Sequence, residues 1–157
     1  MSSREDVSKF KFVQQQNPSS VTATVTPADA AGVDTAGYDS ATFVVNVGSV
    51  VDLAASPLGD GSWTFRVQEA ASDVNASYAN ITDATRIRLG VGCDATLNTS
   101  TGTFLTLDSA AHQNSVFAVG VISDKQFLRL IATAVTTPGA SLLSWSCVLG
   151  RGATPVI

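Results

Sequence analysis

Residues 32–51, GVDTAGYDSATFVVNVGSVV, decide the fold. Gly32, Asp34, Gly37 and Asp39 supply turn chemistry, because glycine reaches conformations closed to other residues and aspartate bonds its own backbone. The turn runs straight into an alternating strand. Ala41, Phe43, Val45, Val47 and Val51 fall on one side, with Thr42, Asn46 and Gly48 on the other. The side-chain period of a strand is two, so the pattern predicts one buried face and one less apolar face.

The chain on either side of this stretch reads the same way. Val21, Ala23 and Val25 alternate with Thr22, Thr24 and Thr26. Trp63, Phe65 and Val67 alternate with Ser62, Thr64, Arg66 and Gln68, and Ile87, Leu89 and Val91 with Arg86, Arg88 and Gly90. Residues 104–107 add a short run. Residues 116–122 are apolar on both faces, which predicts a central place in a sheet, and residues 127–134 are nearly so. Leu143, Trp145, Cys147 and Leu149 close the pattern, with both tryptophans on core faces. Turn clusters at 56–61, 98–102, 123–125 and 137–139 separate these runs, and no helical period is sustained. The expectation is an all-β chain of about eight strands, an antiparallel β-sandwich of jelly-roll type. Residues 70–83, AASDVNASYANITD, fit either one short helix or a long loop.

At 157 residues, 45% hydrophobic and only 14% charged, the chain has enough apolar material for one packed domain and too little charge for a disordered one. Residues 1–19 read differently, as an N-terminal arm ahead of a domain at 20–157. Charges crowd the first 11 positions, and Gln14, Gln15, Gln16, Asn17 and Pro18 follow. Lys9, Phe10, Lys11 and Phe12 alternate, so the arm could add a strand to a neighbour's sheet edge. On that reading, deleting residues 1–16 leaves the domain folded.

With net charge −4 and no basic stripe, no nucleic-acid partner is expected. No apolar run approaches the roughly 20 residues that span a bilayer, and the first residues lack the apolar core of a secretory signal. The expectation is a chain made in the cytoplasm, with no membrane partner and with Cys93 and Cys147 as free thiols.

Chemistry is sparse. His112 is the one histidine, and its neighbours Asp108 and Ser109 lie too close in one loop to supply a triad's geometry. One histidine and two distant cysteines make no zinc set, and the turn aspartates lack the ligand order of a calcium loop. No catalytic residue, metal or cofactor is expected, and an enzyme is the weakest class. Arg129 is the odd residue, since it interrupts the apolar run Phe127-Leu128-Arg129-Leu130-Ile131. A buried guanidinium must be paired, and Asp34 or Asp39 are the expected partners, within the chain or across a subunit boundary.

Three stretches together resemble the small β-sandwich virion proteins of tailed bacteriophages, above all the head-decoration or cement proteins: GVDTAGYDSATF at 32–43, KQFLRL at 125–130 and SWSCVLGR at 144–151. The resemblance implies a capsid accessory protein on the outer surface of the virion, present as a homo-oligomer, a dimer or trimer. It would bridge subunits of the major capsid protein. Lys9, Phe10, Lys11 and Phe12 become the candidate capsid contacts. The competing reading is a tail or baseplate module that recognises host surface glycans.

Overall fold

The computed structural model describes residues 10–50, 61–90 and 92–151. Ten strands are present among them: β1 (Phe10–Val21), β2 (Val33–Asp34), β3 (Ser40–Val47), β4 (Ser62–Ala70), β5 (Ala79–Asn80), β6 (Ile87–Leu89), β7 (Thr103–Leu107), β8 (Ser115–Val121), β9 (Phe127–Val135) and β10 (Ser141–Gly150). A front sheet runs β1-β10-β3-β8-β6 and a back sheet β2-β9-β4-β5, with β7 also on β4. Every pairing is antiparallel.

The topology follows from one long folded hairpin. Its arms are β1–β4 and β7–β10, and the nested pairs are β1·β10, β2·β9, β3·β8 and β4·β7. Rolling that hairpin lays β10 against β3 and β9 against β4, which is the jelly-roll order. The eight strands of the roll are not the eight read from the sequence, which counted residues 21–26 and β6 and passed over β1 and β2. β5 and β6 are additions from the β4–β7 connection; β5 extends the β4 edge beyond β7, and β6 covers the edge of β8.

Alternation does what its period predicts. Ala41, Phe43, Val45 and Val47 are buried in β3, as are Trp63, Phe65 and Val67 in β4. Trp145 stands edge-on to Phe65, with ring centroids 6.1 Å apart, at the middle of the sandwich. Trp63 donates Nε1–H to Ser141 Oγ (3.0 Å), so its polar edge is not orphaned in the core. Arg86 closes one end of the sandwich. It leads into β6 and grips Glu69 of β4 with both guanidinium ends, while Ser123 Oγ donates to the same carboxylate (2.6 Å).

Two expectations change and one open alternative is decided. Val21 ends β1, paired with Ser141, and of residues 22–26 only Val25 pairs, in an isolated bridge to Ala132, because this segment crosses from one sheet to the other. Residues 70–83 hold a single 3₁₀ turn, Asn75–Ser77, followed by β5, and not a helix. The described part of the expected arm, residues 10–19, lies within β1, the edge strand of the front sheet, and pairs with this chain's own β10.

Both cysteines are free thiols, Cys147 buried and Cys93 half-buried. Burial pushes the Cys147 thiol up to about 12, and it also raises that of Cys93. The thiolate is the reactive form. Labelling with a disulfide reagent at pH 8 should therefore consume at most one thiol per native chain and both in denaturant. Prompt loss of both in the native state would contradict this packing.

Candidate functional site

The outer face of the front sheet is built by the residues that alternate with the core set. Paired positions across the strands share a face, so it can be read in rows. One row is Phe12, Val148, Thr42, Gly120 and Arg88; the next is Gln14, Ser146, Val44 and Ala118. Ser144, Asn46 and Val116 form a third, and Phe10 lies against Gly150 opposite Ser40. Arg88 is the one charged side chain among these rows.

Such a face is unusual for water. Exposed sheet faces carry charged side chains that discourage sticking, and this one carries serine, threonine, glycine, alanine and valine. Phe12 is 70% exposed and Val116 is 61% exposed, at opposite ends of the surface. A groove of about 310 Å3 beside Val116 is lined by Pro18, Asn46, Leu142 and Ser144. The small side chains leave the sheet shallow, and Gly120 keeps the Arg88 stem flat, since an added Cβ would come 3.2 Å from Arg88 Cβ.

The residues singled out in the sequence separate into two groups. Phe10 and Phe12 stand on this outer face. Lys11 points to the opposite side of β1, where its charge acts on Asp34. Lys9 lies outside the described residues.

Arg129 does not take the expected carboxylate partners. It projects from the outer side of β9, away from the core, and is covered by the 72–78 loop. There it donates Nε–H to Gln68 Oε1 (2.8 Å) and Nη1–H to Asn75 Oδ1, and its guanidinium lies 3.9 Å from the centre of the Tyr78 ring. The carboxylates that act on it are Asp73 and Asp29, while burial pulls its pKa down from the ordinary value. Asp34 accepts from Ala36 N (2.9 Å) and Gln126 Nε2 (3.2 Å), which hold its carboxyl below the usual range. Asp39 leads into β3, its N–H on Gly150 O (2.9 Å). Strand parity explains the difference: Leu128 and Leu130 point inward, so Arg129 must point outward, where the 72–78 loop lies.

His112 ends a 3₁₀ turn, Ala110–His112, with Nδ1 3.8 Å from Asp108 Oδ1 and its ring against Phe117. No group of three metal-ligating side chains is found among the described residues, and no helix there is long and apolar enough to cross a membrane.

Sequence reasoning picked out Phe10 and Phe12 but missed the surface they belong to. Its signal was present, in the uncharged even-numbered positions of residues 42–46 and 142–148. Only strand pairing brings those positions side by side. Comparison of the chain with known protein families and with curated proteins returns no match.

Proposed function

We propose that this chain is a structural virion protein of a tailed bacteriophage, which decorates the outer capsid surface as a homo-oligomer and stabilises it by bridging major capsid protein subunits. The observation that carries this reading is the charge-poor outer face of the front sheet, on whose rows Arg88 is the one charged side chain. Covering such a face strips water from few charged groups, so little desolvation cost opposes the apolar gain. A chain of net charge −4 also meets a partner there without bringing like charges together. The jelly-roll fold supports the reading as well, since it recurs in capsid proteins. Many copies on a lattice add effective concentration to a modest single contact.

The test is to purify particles and count this chain against the major capsid protein. A fixed ratio over the whole shell is expected; a few copies at a tail end, or none, would overturn the proposal. A second prediction places the contact. Phe12→Asp together with Val148→Asp puts two charges on the face without touching the core. Particle binding should fall by about tenfold or more per charge, roughly 1.4 kcal/mol each, with an unchanged melting temperature. Full binding by the double variant would remove this face from the contact.

A further inference from the structure

The outer face of the back sheet carries a second surface, opposite the one assigned to the capsid, and it is polar. Thr64 on β4 stands between Thr133 on β9 and Thr106 on β7, so three hydroxyls share one row. Beside that row a bulge shifts the β4·β7 register between Phe65 and Arg66. It sends Phe104 inward and sets Thr103 opposite Arg66; bulges re-aim side chains in this way. The 94–102 segment then folds over the strand edge. Asn98 N donates to Thr103 O (2.9 Å), and Gly102, at φ 77°, carries no Cβ because one would lie 2.7 Å from Ile81 O. Together these elements enclose a pocket of about 320 Å3.

Its polar groups are held in place yet incompletely used. Arg66 makes one hydrogen bond among the described residues, Nη2–H to Thr133 Oγ1 (2.8 Å), and no ion pair. A guanidinium has five N–H donors, so Arg66, which lines the pocket, keeps donors for a ligand. Asp94 is fixed by Thr106, whose N–H (3.0 Å) and hydroxyl (2.9 Å) donate to its two carboxylate oxygens. Asn98 Oδ1 accepts from Ser100 N (3.0 Å) and Thr101 N (3.2 Å), while its amide nitrogen makes no hydrogen bond among the described residues. Val135, 42% exposed, supplies an apolar patch on the wall.

We propose that this pocket binds an acidic sugar residue of a glycan, with Arg66 on the sugar carboxylate, Asp94 and Asn98 on its hydroxyls, and Val135 against the ring's C–H face. The guanidinium calls for a planar carboxylate, which it can meet with two parallel hydrogen bonds. Asp94 in the same pocket disfavours a compact dianion such as phosphate and favours a ligand whose far end donates. Because the two outer faces are opposite, this inference stands whether or not the front sheet meets a capsid.

The full ¹⁵N-labelled chain should be titrated with methyl β-D-glucuronide, methyl β-D-glucoside, glycine and inorganic phosphate. Amide shifts at Thr64, Thr103 and Thr106 are expected with the glucuronide and at least about tenfold weaker responses with the other three, the loss that one charge-assisted pair explains. Arg66→Gln should keep the native spectrum and lose the glucuronide response. Should that variant unfold, Asn98→Ala on the exposed rim should weaken the response severalfold. Equal shifts with the glucoside, glycine or phosphate, shifts confined to other residues, no shift at all, or an undiminished response in the folded variants would each overturn the proposal.

Discussion

Gln15→Ala should destabilise the protein by about 2–5 kcal/mol, while Gln14→Ala and Gln16→Ala on either side cost about 1 kcal/mol or less. The three residues are identical in type and adjacent in the chain; the register separates them. β1 pairs Gln14 with Ser146 and Gln16 with Trp145, so Gln15 is the extra residue of a bulge and has no cross-strand partner. Its side chain turns into the open side of the sandwich. There its Oε1 accepts from Leu130 N (2.8 Å) and Trp145 Nε1 (3.2 Å), and its Nε2 donates to Ala31 O (3.2 Å). One amide thus ties the front sheet to β9 of the back sheet and to the loop before β2. Truncation leaves two interior donors without acceptors, at about 1–3 kcal/mol each.

The same bond completes the protection of an edge. Along the edge of β9 opposite β4, β2 pairs with Leu128, Gln15 takes Leu130 N, Val25 bridges Ala132, and Thr24 Oγ1 accepts from Ala134 N (3.1 Å). Residues before β3 therefore cover an edge that would otherwise offer free N–H groups to another chain. Urea unfolding of the three alanine variants checks the prediction, with the midpoint of Gln15→Ala well below the other two. Equal midpoints would mean the bulge amide is dispensable. It follows that deleting residues 1–16 should damage the fold, contrary to the expectation for a free arm, because the deletion removes more than half of β1 and Gln15 with it.

Arg129→Met should cost about 3–5 kcal/mol, because it removes two charge-assisted hydrogen bonds worth about 1.5–3 kcal/mol each. Arg129 is 5% exposed, and its loss orphans Gln68 Oε1 and Asn75 Oδ1 together. The network extends further. Tyr78, stacked on the guanidinium, donates its hydroxyl to Asp73 (2.6 Å), which also accepts from Gly32 N (3.1 Å). Asp29 accepts from Asn75 N (2.7 Å). Burial first, and the bond to Asp73 second, raise the tyrosine's pKa, so it stays a neutral donor. Arg129→Lys should recover only part of the stability, since an ammonium cannot reach both amides as a fork or lie flat on the ring. At about 2–4 °C per kcal/mol for a chain of this size, Arg129→Met should melt roughly 6–20 °C lower. A shift under 2 °C would show that the 72–78 loop holds without its cation.

The sequence by itself determined the class of the fold and most of its core. Period-two burial placed Phe43, Val45, Trp63, Phe65, Trp145 and Cys147 inside, because a strand's parity is a local property that needs no knowledge of neighbours. It also marked Arg129 as a residue needing partners and Phe10 and Phe12 as surface aromatics. Tertiary structure alone decided which partners and which surface. The amides and the tyrosine around Arg129 lie 50 or more residues away in sequence, and no local rule favours Gln68 and Asn75 over Asp34 or Asp39. The charge-poor face is scattered over five strands and assembles only when the hairpin rolls. Most telling is β1, whose polar QQQNPSS reads as a loose arm because its strand character comes from pairing with β10 and a bulged glutamine, not from alternation. Parity is written residue by residue, whereas pairing, register and burial of a polar side chain exist only between segments, and the second kind of information appears when the chain closes on itself.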